Sequence, residues 1–502
     1  MSANTRQERW HALSPSPTAL SVLMARPDTT SRTAAVDNNG KTPASAKFLY
    51  GIYTGVIALA GLACLPVWAL RDRTTAKYRG TLPQRFGHLP QALRQDLAGH
   101  PCFWVHAVSV GEALAAQGLV EGLRGAFPHL RVVVSTVTKT GQQVVRDRFA
   151  HVDHLIYLPL DLPWIVRRVV ASVRPRFVVV METELWPNLF HALEQASVPI
   201  ILVNGRISVR SFARYRRMRW AMGRFLRPVR LFCMQSAGDA DRLCHMHPRS
   251  RQPDADSPDR EQTGLPPSGT RRLLVTGNLK YDQALRLPEP VAMAALNQRL
   301  GPQPAAPVWV VASTHPGEEA IILEVHARLR QEVNGLRLIL VPRHPERGAA
   351  LAARIAHGGI PVRLFSQTRG DWSEPLLLVD EIGWLTRLYG LARIVFVGGS
   401  LVPHGGQNFL EPAAWGIPPI FGPHVSNFRD AARHLLDAEA GFQVADGREL
   451  AQVALRLLHD PQGCQEIGQR AKKCVMTHTG ALDRTLAAIK TLLSEPGHGL
   501  DP

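Results

Sequence analysis

Glu112 closes a run of apolar and β-branched residues, FWVHAVSVGE (103–112), at the point where helical spacing begins. A carboxylate there can satisfy the free N–H groups and the dipole of a helix start, typically by a few tenths to about 1 kcal/mol. It can also take a proton from a substrate hydroxyl. The residues alone leave both roles open, and the structural one is the simpler. The stretch VVVMETELWPN (178–188) raises the same question twice. Period-two geometry puts Glu182 and Glu184 on one side of a continuing strand, and carboxylates ending a buried run need cations or hydroxyls nearby. Solvation at the sheet end explains them as well as function does, and Trp186-Pro187-Asn188 turns the chain into the next helix.

Four loops in the second half carry a more specific signal: TGNLKYD (276–282), ASTHPGEE (312–319), PRHPER (342–347) and VGGSLVPHGGQNFLEP (397–412). Glycine-rich turns ahead of helix starts offer clustered N–H groups to a phosphate, and Glu411 suits ribose hydroxyls, so a nucleotide-linked donor is expected. Neither a Walker sequence nor a GxGxxG fingerprint is present, which weighs against ATP hydrolysis and hydride transfer. Residues 206–230 hold nine arginines and no acid, interleaved with Phe212, Tyr215, Trp220 and Phe225. Arginine forks suit phosphate and aromatic side chains suit an acyl or interfacial setting. RNA would be met by the same residue types. The formal charge of +17 over 502 residues favours anionic partners without choosing among them.

The elements that must hold these groups read as alternating strands and helices. FWVHAVSV, LRVVVSTVT, FVVVMETEL, PIILVNGRIS and LFCMQS form the strands of a first Rossmann-like half; RRLLVTGNL, VWVVASTH, LRLILVPRH, PVRLFS, LLLVD, IVFVGGSL and PPIFGPH form a second. Two doubly wound α/β domains facing a cleft are expected, with ligands at the C-terminal ends of the strands. Residues 1–47 read as a disordered leader, 48–70 as a membrane anchor, 71–246 as the first domain, 247–270 as a linker or insertion, and 271–502 as the second domain. The anchor segment has no charged residue and as a helix would extend roughly 30 Å, enough for a bilayer core; a buried helix is the alternative. Arg71, Arg73, Lys77, Arg79 and Arg85 against Asp72 place the carboxy-terminal bulk of the chain in the cytoplasm. Six cysteines without a CxxC pair argue against a disulfide scaffold or a zinc ribbon, and Cys244-His245-Met246-His247 lacks ligand spacing.

Taken in order, HAVSVGE, METELWPN, GNLKYD, STHPGEE, PRHPER, FVGGSL and GGQNFLEPAAWGIPPIFGPHVSNF resemble the 3-deoxy-D-manno-octulosonic acid (Kdo) transferases of Gram-negative bacteria, from about residue 48 to 490. The resemblance implies a GT-B glycosyltransferase, anchored by one span on the cytoplasmic side of the inner membrane, that moves Kdo from CMP-Kdo to the 6′ hydroxyl of a lipid A precursor. It implies Glu112 as the catalytic base, Glu182 and Glu184 near the reaction centre, and Lys280 as a stabiliser of the transition state. It places CMP on Pro342 and Arg343, on Ile382, Gly383 and Trp384, and on Asn408, Phe409, Leu410 and Glu411, and the acceptor by Ser109, Gly111 and Arg206. No metal or cofactor is implied beyond the donor, the anionic membrane surface is the partner of the arginine-rich segment, and nucleic acid is not expected. On this view the helix start also keeps Glu112 ionised. The chain departs from the family at DEIGWL (380–385), where Trp384 replaces an acid, and at Gln407 and Phe409, where GGHNPLEP is usual. Two rivals remain: a GT-B enzyme for another nucleotide sugar on a lipid, and a membrane-tethered nucleic-acid binder.

Overall fold

The computed structural model describes residues 44–74, 80–246, 272–301 and 306–495. The expected leader up to residue 43 and the expected linker at 247–270 lie outside them. From Leu49 onward the chain forms one compact unit built on two sheets.

The first sheet has seven strands: β1 (Cys102–His106), β2 (Arg131–Thr136), β3 (His154–Tyr157), β4 (Pro175–Met181), β5 (Ile200–Gly205), β6 (Val229–Met234) and β7 (Arg272–Val275), in the order β3-β2-β1-β4-β5-β6-β7. Every neighbouring pair is parallel. Runs such as FWV and VVV become strands here because both faces are covered by helices, which demands continuous apolar β-branched sequence; Phe103, Trp104, Val105 and Phe177 to Val179 are fully buried. β3 goes unmarked in the sequence. It is four residues long and opens with His154, whose Nε2 lies 2.7 Å from an Asp96 carboxylate oxygen, so no apolar run announces it.

The second sheet holds β8 (Val308–Thr314), β9 (Arg337–Pro342), β10 (Val362–Leu364), β11 (Leu376–Leu378), β12 (Ile394–Val397), β13 (Pro419–Phe421) and β14 (Phe442–Gln443), ordered β10-β11-β9-β8-β12-β13-β14. In both sheets the order reverses beside the first strand, between β1 and β4 and between β8 and β12, and such reversals open the crevices in which ligands bind.

The boundary expected at residue 271 is displaced. RLLV is β7, the last strand of the first sheet, in register with β6 from Leu231↔Arg272 to Met234↔Val275. The chain also returns at its end. Ala481, Ile489, Leu492 and Leu493, from the carboxy-terminal helix Ala481–Leu493, are buried in the same core cluster as Phe103, Val105 and Val132 of the first sheet. A parallel strand bears no mark of the sheet it will join, so its place after the linker was misleading.

The segment 48–70 is helical, within Ala44–Thr74. Among the described residues no helix is long and apolar enough to cross a membrane, and the side chains of 64–70 lie outside the description. Leu49 and Tyr50 pack on Ala221 and Phe225, and Tyr53 Oη donates to Asp161 Oδ2 at 2.8 Å, so this helix docks along one edge on the first domain. Ile52, Val56, Leu59 and Leu62 are exposed.

Candidate active site

Glu112 sits in the first turn of the helix Val110–Ala126, directly after β1. Ser109 caps that helix by accepting from Glu112 N at 3.2 Å, while Glu112 Oε2 accepts from Val108 N at 2.8 Å, a reciprocal arrangement close to a capping box. The side chain is 7% exposed. Burial, and then the nearby Glu182 carboxylate, outweigh those N–H and hydroxyl contacts and push its carboxyl up to about 7. The expectation that the helix start keeps Glu112 ionised is thereby corrected: the dipole's few tenths of a kcal/mol lose to desolvation and like charge. Gly111 lies open, and a Cβ there would meet only Ser109 Oγ at 3.9 Å.

One strand over, β4 is followed by Glu182, whose backbone is left-handed at φ 55 and whose N–H donates to Val203 O at 2.8 Å. That turn brings Glu182 Oε1 to 3.1 Å from Lys280 Nζ, a pair 98 residues apart in sequence. Lys280 is aimed by two asparagines. Asn278 caps the short helix Leu279–Ala284, and Asn204, buried at the end of β5 with φ 58, accepts from Leu279 N at 3.0 Å. The Lys280 ammonium also lies 5.2 Å from the centre of the Phe428 ring. Burial and then Glu182 raise the Glu184 carboxyl, and Glu184 makes no hydrogen bond or ion pair among the described residues. Trp186-Pro187-Asn188 serves structure: Asp161, 3% exposed, accepts from Asn188 N at 3.1 Å and Leu189 N at 2.8 Å, capping the next helix from a distance.

On the second sheet, Pro342 is buried at the end of β9 and Arg343 N donates to Thr314 O at 2.9 Å. The Arg343 guanidinium makes no hydrogen bond or ion pair among the described residues. The first turn of the glycine-rich loop after β12, Gly399 to Leu401, does not offer its N–H groups to a ligand as expected. Glu318, fully buried, takes them: Gly399 N at 2.7 Å, Ser400 N at 3.1 Å and Leu401 N at 3.0 Å, with His315 N at 2.9 Å. Asn408 Nδ2 donates to Glu411 Oε1 at 2.9 Å, and burial pushes the Glu411 carboxyl up to about 7. Phe409 and Leu410 are core residues, at 0% and 1% exposure, and Phe409 stacks on Phe421 at 4.6 Å, so only their backbones can face a ligand.

A family model described as 3-Deoxy-D-manno-octulosonic-acid transferase (kdotransferase) matches residues 80–255. A 3-deoxy-D-manno-octulosonic acid transferase of Haemophilus influenzae is 33% identical over 445 residues, covering 88% of this chain and 98% of that protein. One from Bordetella pertussis is 33% identical over 458 residues, covering 88% and 99%. The chain belongs to the Kdo transferase family. It is therefore a glycosyltransferase, and its two facing α/β domains are of the GT-B kind. A solved UDP-GlcNAc 2-epimerase of Neisseria meningitidis, bound to UDP-GlcNAc, shares the fold at TM-score 0.51 and 11% identity, covering 79% of this chain and 100% of that one.

In this Kdo transferase the departures from the family pattern have structural reasons. Trp384 Nε1 donates to Glu381 Oε2 at 3.0 Å, Arg299 holds the same carboxylate with two bonds of 2.8 and 2.7 Å, and Phe365 packs on the indole at 5.0 Å. Trp384 is thus built into a stack, while Ile382 is 71% exposed and Gly383 is left-handed at φ +94. Gly383 O accepts from Arg148 Nη2 at 3.4 Å, a contact from the first domain. Arg206 spans the cleft in the same way, donating to Asn427 O at 3.1 Å and Ser426 O at 2.7 Å, so its fork is already engaged. Arg148, Asn204, Asp161 and Glu318 were all missed in the sequence. Only Asn204 left a signal of this kind, as a polar residue ending the apolar run IILV, while Glu318 lay unremarked inside the ASTHPGEE loop.

Proposed function

We propose that this Kdo transferase moves Kdo from CMP-Kdo to the 6′ hydroxyl of a lipid A precursor in lipopolysaccharide synthesis, with Glu112 as general base. The supporting observation is the pairing across the sheet reversal: a buried carboxyl with a pKa near 7 at the end of β1 and the Glu182–Lys280 ion pair at the end of β4. A base is most effective when its pKa lies near the working pH, and its contribution is typically about 100- to 10,000-fold. Glu112 accepts the proton of the attacking hydroxyl. Lys280 and Arg343 stabilise the negative charge that develops on the departing CMP phosphate, as cations already in place before the reaction. Glu182 keeps Lys280 in place, and Glu184 lies free to meet acceptor hydroxyls. Ser109 and Gly111 border the acceptor, and Asn408 and Glu411 hold the nucleotide with the backbone of Phe409 and Leu410 and the 382–384 loop. No step here calls on a metal or another cofactor.

Contact with an anionic membrane surface on the cytoplasmic side of the inner membrane fits the exposed Ile52, Val56, Leu59 and Leu62, together with Trp220 at 66% exposure and Met218 at 50% within the arginine-rich segment. Mass spectrometry of products from CMP-Kdo and a tetraacyl disaccharide bisphosphate tests the whole reading. One or more Kdo additions are expected; equal or better transfer from a UDP-sugar overturns it.

A further inference from the structure

Three imidazoles meet where β8, β9 and the loop after β12 end. His315 and His404 are stacked with ring centres 4.2 Å apart, and His344 meets His315 edge-on at 6.1 Å. Gln407 Nε2 lies 3.2 Å from His315 Nε2. With the amide N–H donating to Nε2, the ring proton sits on Nδ1, and His315 is a neutral donor. Burial, followed by His404, His344 and Arg343, depresses its pKa to about 4, so it adds an N–H without adding charge beside Arg343.

Around this cluster the acids are already engaged. Glu318 is consumed by the four backbone N–H groups named above, Glu319 is paired with Arg347 at 2.9 Å, and Glu346 lies 3.4 Å from His344. Because Glu318 takes the N–H groups of Gly399, Ser400 and Leu401, those three donors are not left for an anion arriving at this sheet end. Arg343 and the imidazoles are the side chains present. The cluster also borders the cleft: Asn427 Nδ2 donates to His404 O at 3.1 Å and to Gly406 O at 3.3 Å, and Asn427 O accepts from Arg206 of the first domain.

We propose that His315, braced by Gln407 and stacked on His404, forms with Arg343 a subsite for an acid group of the donor, its phosphate or its sugar carboxylate. This rests on the CMP-Kdo reading above. It also gives Gln407 a role, since an amide in place of the family's usual histidine does not itself titrate and so holds the His315 tautomer wherever the ring is neutral.

The test uses the full chain in detergent and the variants His315→Ala, His315→Asn and Gln407→Glu, each checked for an unchanged unfolding temperature. The KM for CMP-Kdo is expected to rise about tenfold or more in His315→Ala and Gln407→Glu, as for loss of one good polar contact or gain of a facing like charge. kcat and acceptor KM should stay near wild type, and His315→Asn should recover part of the loss. CMP alone distinguishes the sources. Weakened CMP binding assigns the phosphate; unchanged CMP binding with raised CMP-Kdo KM assigns the carboxylate. Donor KM and CMP affinity both unchanged in folded variants would overturn the proposal. NMR of the histidine side chains of wild type during CMP titration separates this from failure of the donor reading: no binding at all sinks the CMP-Kdo assignment, whereas binding that leaves the His315 resonances unmoved sinks only the subsite.

Discussion

At the scale of single residues, the helix-capping role of Glu112 and its proposed role as base oppose each other. Its folded pKa is raised from 4.5 to about 7, so the stability it contributes is complete below pH 4.5 and is lost as pH rises through 7. Glu112→Gln retains an oxygen for Val108 N–H and removes the buried charge. It should gain on the order of 1–3 kcal/mol against urea unfolding at pH 8, with little gain at pH 4.5. The same variant should keep CMP-Kdo binding and lose transfer by about 100-fold or more. In the wild type, turnover should climb with pH up to about 7 and then level off, as for a base that must be deprotonated to act. Gly111→Ala provides a separate reading. A Cβ there meets nothing closer than 3.9 Å, so folding should be unaffected, or helped by a few tenths of a kcal/mol. A fall in acceptor affinity with unchanged thermal stability would mark this as the point where the acceptor approaches the backbone.

At the scale of elements, Asp161 ties three pieces together: Tyr53 of the amino-terminal helix, and the Asn188 and Leu189 N–H groups that start the helix Pro187–Gln195. Asp161→Ala should cost about 2–4 kcal/mol by leaving buried donors unpaired, measured as a lowered urea midpoint. It should also expose residues 49–54 to faster amide exchange. None of this was visible in METELWPN, because the partner lies 27 residues upstream in a segment of no evident pattern. The acids of the site were readable, since charged residues ending apolar runs are costly unless used, whereas Lys280 came only through the family resemblance of GNLKYD. Their partners were not, because a left-handed Glu182 or an Asn204 that aims a helix depends on strand order, and period-two or period-three reasoning carries no information about which strands become neighbours. Glu318 belongs to the same class: its two oxygens fill the loop that the glycine pattern had reserved for phosphate.

At the scale of the whole molecule, buried titrating groups pull in opposite directions. His106 and His326, like His315, are depressed to about 4 by burial, so their contributions are complete above pH 6.5 and lost as pH falls toward 4. Glu112 and Glu411, raised to about 7, lose theirs as pH rises. Unfolding free energy should therefore peak at about pH 5.5–6.5, and His326→Gln should flatten the acid side of that dome in urea titrations across pH. Polar, partly exposed contacts link the first half to the second, Arg206 with Ser426 and Asn427 and Arg148 with Gly383. The carboxy-terminal helix gives this design an unequal fragility. Because Ile489, Leu492 and Leu493 belong to the core of the first sheet, a premature stop codon after position 480 would spare the half built on the second sheet and strip the first of part of its interior. Separately expressed halves would be complementary only if that last helix travelled with the first.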